Sequence, residues 1–172
     1  MTIRSKMMLA LAAAALGTTS AAAAPVSSPT PPPGRALLLV PLTLTKIDDL
    51  SFGSVIPSAV SGTVTINAVT GARTTAGGVT ALPSDVGQRA YFGGAGSPNQ
   101  LVIVVVTPPA VLTNVAGDTL DVLALTLDGS PLRTVHPVNR TFFFGVGGII
   151  LIAADQPEGV YTSDYDVTAN YL

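Results

Sequence analysis

From Arg35 onward the chain is a succession of short apolar runs separated by clusters of Gly, Pro, Asn and Asp. No apolar stripe recurs at the 3.6-residue spacing of a helix, whereas alternation with a period of two, the mark of a strand with one buried face, recurs often. The pattern predicts strands over 36–46, 50–56, 62–67, 72–75, 88–92, 101–107, 119–127, 139–144, 148–153 and 160–171. Short strands at this spacing predict a β-sandwich. Gly71 predicts a hairpin between 62–67 and 72–75, and Asp128 to Pro131 a turn closing the strand at Leu127. Gly145 to Gly148 reads as a second hairpin joining FFF to IILI, and Gly93 to Gly96 as a turn cluster.

Three strands carry further information. Leu101 to Val106 is apolar at every position, which suits a strand covered on both faces and is an aggregation hazard when exposed. The segment 160–171 places Tyr161, Tyr165, Val167, Ala169 and Tyr171 on one face and mostly polar residues on the other. The sequence ends with this strand, so its next neighbour is solvent, another part of the chain or another protein. The segment 36–46 puts Ala36, Leu38, Val40, Leu42 and Leu44 on one face, but Pro41 lacks the N–H that a central strand requires. Two readings stay open. Either 36–46 is an edge strand of its own sandwich, or it divides at Pro41, with 42–46 at home and 35–40 pairing with a neighbouring molecule.

The start of the chain has a different character. Arg4 and Lys6 precede the apolar run Met7 to Leu16, and small residues follow to Ala24. This pattern predicts a signal peptide over 1–23, too short in its apolar part to span a bilayer, followed by a Pro-rich leader over 24–35 and a sandwich domain over 36–172. No integral membrane segment is expected once the signal is removed. Taking Arg4 and Lys6 from the 8 basic residues leaves 6 against 10 acidic ones, a net charge of −4. No basic cluster follows a phosphate backbone, so nucleic acid is not an expected partner. With 10% charged residues, the surface must be covered by Thr, Ser, Asn and Gly.

The chemistry-bearing residues are sparse. Cysteine is absent and His136 is the single histidine, which leaves no thiolate and no histidine cluster for a metal or a triad. Asp48 and Asp49 are adjacent and would face opposite sides of a strand. Asp118, Asp121 and Asp128 fit no calcium-loop spacing. Asn139-Arg140-Thr141 matches a glycosylation sequon that carries little weight in a bacterial-looking export product. Phe142, Phe143 and Phe144 alternate faces and suit core packing better than a binding patch. No enzyme and no cofactor is expected.

PLTLTKIDDLSFGSVIP (Pro41 to Pro57), GTVTINAVTGARTTAGGV (Gly62 to Val79) and ADQPEGVYTSDYDVTANYL (Ala154 to Leu172) resemble the bacterial exported family called domain of unknown function 4402. More distantly, LSFG and GxYxxxxxVTxxY are similar to spore coat protein U domains and archaic chaperone–usher pilins. Those pilins carry a Gly fourteenth from the end and a penultimate aromatic, positions held here by Gly159 and Tyr171. The resemblance implies an all-β, immunoglobulin-like Greek-key sandwich lacking its last strand. It implies a non-catalytic cell-surface subunit polymerising by donor-strand complementation, with related subunits, a periplasmic chaperone and an outer-membrane usher as partners. The donor would be residues 35–45, carrying Ala36, Leu38, Val40, Leu42 and Leu44. The acceptor strand would carry Gly159, Tyr161, Tyr165, Val167, Ala169 and Tyr171. The competing expectation is a self-complete secreted sandwich that binds a glycan or protein as a monomer.

Overall fold

Phe142, Phe144 and Val146 point inward from one strand, and the alternation that buries them organises the domain. The computed structural model describes Thr30 and residues 33–172. The expected signal peptide and most of the expected leader lie outside the described residues. The chain divides into two units, residues 1–37 and residues 38–172. The described residues of the first contain no strand.

The second unit holds β1 (Thr43–Asp48), β2 (Val55–Ile56), β3 (Gly62–Ile66), β4 (Arg73–Gly77), β5 (Thr80–Ala81) and β6 (Ala90–Ala95). It continues with β7 (Leu101–Thr107), β8 (Val111–Thr113), β9 (Thr119–Leu127), β10 (Leu132–Thr134), β11 (Thr141–Ile152) and β12 (Asp166–Tyr171). All pairings are antiparallel. One sheet runs β1-β6-β11-β3-β4, with β9 on the other edge of β11 and β8 beyond it. The facing sheet is β10-β7-β12. Sequence-distant strands are neighbours in both, so the sandwich is closed by crossovers rather than by successive hairpins.

The main core lies between the two sheets. Ala90 and Phe92 of β6, Val102 and Val104 of β7, and Phe142, Phe144 and Val146 of β11 are all buried there. Phe144 stacks on Phe92 at 5.2 Å between ring centroids. Each buried Val or Phe side chain here contributes about 1.5–3 kcal/mol by leaving water. A second cluster, built on Val64, Leu120, Ile150 and Ile152, fills the far end. The outer face of β7 leaves Leu101 and Val105 exposed, so the all-apolar run is central in its sheet and covered on one face only.

The two glycine clusters are not turns. β11 passes unbroken through Gly145, Gly147 and Gly148 as it changes neighbour from β6 to β3. A Cβ on Gly147 would lie 2.2 Å from the Ile66 carbonyl oxygen, so the glycine serves close strand approach rather than reversal. Gly93 and Gly94 likewise sit within β6, where a Cβ on Gly94 would lie 2.2 Å from Phe142 Cζ. Gly147→Ala is expected to cost about 1–3 kcal/mol, read as a lowered urea midpoint with an unchanged slope.

True turns do occur where side-chain chemistry supplies them. Asn67 Oδ1 accepts from the backbone N–H groups of Val69 (2.8 Å) and Thr70 (2.9 Å), and Gly71 takes φ +74°. The first strand begins at Thr43 rather than at residue 36, because no partner pairs with 36–42 among the described residues. The last strand begins at Asp166 rather than at residue 160. The preceding stretch pairs with β8 through the isolated bridge between Thr162 and Thr113.

Candidate functional site: a cleft between two unpaired strand edges

β1 and β12 each have one hydrogen-bonded neighbour, β6 and β7 respectively, and their other edges flank a cleft in the sandwich wall. Leu44 and Lys46 on one side and Tyr165 and Val167 on the other line a cavity of about 590 Å³, to which Phe92 also contributes. At the opposite end Leu42 and Tyr171 converge over Gly96. A Cβ there would lie 2.3 Å from the Tyr171 hydroxyl and 2.9 Å from Leu42 Cδ1. β1 therefore starts at the Tyr171 end and β12 at the Tyr165 end, so the two flanking edges run in opposite directions.

The side chains along this cleft pack against the main core, yet none is fully covered. Leu42 and Leu44, together with Tyr165, Val167, Ala169 and Tyr171, are all half-buried. Ala90 and Phe92 of β6, Val102 and Val104 of β7, and Phe142, Phe144 and Val146 of β11 are buried. The core is thus less completely covered between β1 and β12. The outer edge of β12 is also regular: its register with β7 runs without a bulge from Asp166 to Tyr171, and it contains neither Pro nor Lys. Edge strands are ordinarily protected by such features. β1 is partly protected by the register shift between Lys46 and Asp48 and by the ion pair of Lys46 with Asp49.

Tyr165 is the polar group of the cleft. Its hydroxyl is inaccessible to solvent and has no hydrogen-bond partner among the described residues. Burial, and then the Asp49 carboxylate, push its pKa up to about 12. The phenol is therefore neutral and is a donor without an acceptor. Because the folded value lies above the unfolded one, the neutral phenol stabilises the fold below about pH 10, and this is lost as pH rises towards 12. The urea midpoint should fall over that window, and should fall less in Tyr165→Phe.

A second cavity of about 640 Å³ shares Leu50, Thr162, Ser163 and Tyr165 with the first and continues the cleft over the second core cluster. Tyr161 is fixed there, donating to the Pro157 carbonyl (2.7 Å) and accepting from Gln156 Nε2 (3.0 Å). Gly159 passes close to Asn114, whose Nδ2 would lie 2.9 Å from a Cβ at that position.

The expected acceptor residues Tyr165, Val167, Ala169 and Tyr171 therefore share one cleft wall, with Tyr161 and Gly159 on its extension. The expected donor residues separate. Leu42 and Leu44 pack against the chain's own core, whereas Ala36, Leu38 and Val40 are exposed and outside any strand. Ser97, Asp49, Leu50 and Phe92 help form the cleft and were not legible as site residues, since only the fold brings them to it.

The remaining candidates are dispersed. Asp118 accepts from Asn114 Nδ2 (2.9 Å), Asp128 pairs with Arg133 (2.5 Å), and Asp121 is exposed on β9. His136 Nδ1 accepts from the Val138 and Asn139 N–H groups at 3.2 and 3.1 Å, which organises its loop. Phe143, the outward member of the triplet, stacks on Tyr91 at 5.9 Å.

Compared with known protein families, residues 42–171 match the family described as Domain of unknown function (DUF4402). No curated protein and no solved structure matches the chain.

Proposed function

The chain belongs to the DUF4402 family, and we propose that it is a non-catalytic structural or adhesive subunit of the bacterial surface. In this reading it is exported by its signal peptide and polymerises by donor-strand complementation. Residues 35–39 of one copy enter the cleft between β1 and β12 of the next, while Val40 stays with its own domain. A periplasmic chaperone would cover the cleft before assembly and an outer-membrane usher would pass subunits on.

The observation that carries this reading is the pair of unpaired edges flanking a half-buried apolar wall, with β12 unprotected along its whole length. An added strand supplies what this wall lacks: main-chain partners for both edges and apolar side chains for the open core. Leu42 and Leu44 already pack at home and Val40 is hydrogen-bonded there, so the proposed donor is the shorter segment, presenting Ala36 and Leu38 on one face. Burying Leu38 would contribute about 1.5–3 kcal/mol, before ladder bonds and before the gain from covering the cleft residues. Head-to-tail pairing of this kind does not close on itself and gives filaments.

The test is the size distribution of the mature chain, beginning at Ala24, with and without residues 33–40. The intact chain should form a ladder of oligomers that grows with concentration, and the deleted chain should not. A heat-stable, monodisperse monomer from the intact chain would favour the self-complete sandwich instead.

A further inference from the structure

At the Tyr171 end of the cleft both backbone groups of Val40 are held. Its N–H donates to Ser97 Oγ at 2.9 Å, and its carbonyl accepts from the Tyr171 hydroxyl at 3.0 Å. The same hydroxyl accepts from the Ser97 N–H at 2.6 Å, so Ser97, Tyr171 and Val40 form one closed network. Ser97 is buried, and Gly96 leaves the space in which the tyrosine ring reaches it. Two residues further towards the N-terminus, Leu38 is 87% exposed. The network therefore fixes the point at which the chain leaves the domain.

That point matters for the cleft. Resting on the reading of the cleft as a strand acceptor, we infer that the Val40 latch and Pro41 together prevent the arm from filling its own cleft, so that the donor comes from a second copy of this chain. An arm filling its own cleft would have to lie beside β1 and run back from Val40 towards Tyr165. The chain would reverse within Val40-Pro41-Leu42, as a two-residue hairpin. Such hairpins need positive φ at their central residues, whereas proline is fixed near −65°. Proline also holds the residue before it in an extended conformation, which opposes a reversal at Val40. Reversal would further strip Val40 of its two partners and leave the buried Ser97 hydroxyl and the Tyr171 hydroxyl without theirs. An arm from a second molecule meets none of these obstacles. It enters with either strand direction, and each molecule keeps its own latch closed.

The latch gives Tyr171 a role distinct from Tyr165, Val167 and Ala169 on the same wall. It is a positioning residue that sets where the arm points, and Ser97 is its partner across the sandwich.

The experiment compares the mature chain with Pro41→Gly/Tyr171→Phe and Pro41→Gly/Ser97→Ala, using light scattering over a range of concentrations and trypsin cleavage after Arg35. Releasing the latch should raise the monomer-to-oligomer ratio about tenfold or more, since in each variant one of Val40's two hydrogen bonds and the proline restraint no longer oppose folding back. The monomer should be concentration-independent, and its Arg35 site should be cut slowly because the arm lies in the cleft. Two variants are used so that a folding defect in one does not decide the outcome, and retention of the thermal transition identifies the sound one. If the folded variants form oligomers as the parent does, with Arg35 of the monomer cut rapidly, the latch has no such role. If the parent chain itself forms no oligomers and its cleft binds no arm peptide, the acceptor reading falls and the latch falls with it.

Discussion

Mature protein carrying Leu38→Asp should remain monomeric at concentrations where the parent chain forms long oligomers, with association weakened by about a thousandfold or more. The reasoning is local. Leu38 is nearly fully exposed in its own chain, so the substitution removes nothing from the fold of the subunit. On entry to the cleft its side chain would meet the half-buried wall of Tyr165, Val167 and Ala169. Losing the leucine forfeits about 1.5–3 kcal/mol, and placing a carboxylate in the same apolar space adds several more unless it is protonated. A total near 4 kcal/mol corresponds to a thousandfold change in affinity. Leu39→Asp, on the other face of the donor, should be far milder. Sedimentation of the three proteins at matched concentration reads the difference, and equal sedimentation of all three would remove the donor segment from the account.

Phe144→Ala should cost about 3–5 kcal/mol of stability, a large share of the 5–15 kcal/mol that holds an ordinary domain. Phe144 has no exposed surface and packs between Phe92 and Phe142, at 5.2 and 6.4 Å between centroids. The cavity left by its ring lies at the centre of the main core, where the surrounding sheets cannot collapse without losing register. Tm should fall by about 10 °C or more. Phe143→Ala, one residue away but half exposed on the outer face, should cost less than about 1.5 kcal/mol. Near-equal losses for the two variants would contradict the assignment of faces along β11.

Much of this fold could be read from residue order because alternation is a local signal. β7 and β9 occupy the segments 101–107 and 119–127 expected from it, and β3 lies within the segment 62–67. The errors share one cause. Gly145 to Gly148 and Gly93 to Gly96 suggested turns, since glycine breaks strands in isolation. Here it is a neighbouring backbone or ring, distant in sequence, that demands its missing side chain. β5, β8 and β10 have two or three residues each and leave no periodicity to detect. The cleft shows the same division. The apolar face of β12 was legible as alternation, and Pro41 marked the division of the first segment. Ser97 gave no sign, because its role depends on Tyr171 and Val40 arriving from 74 and 57 residues away.

The central claim is that the gap between β1 and β12 accepts an extended strand. Hydrogen exchange on the Leu38→Asp monomer, with and without a synthetic peptide of residues 33–41, tests it most directly. Slower exchange of alternate amides along 166–171 and 43–48 upon peptide addition, with the rest of the domain unchanged, is the predicted result. Unchanged exchange at both edges under saturating peptide would contradict it.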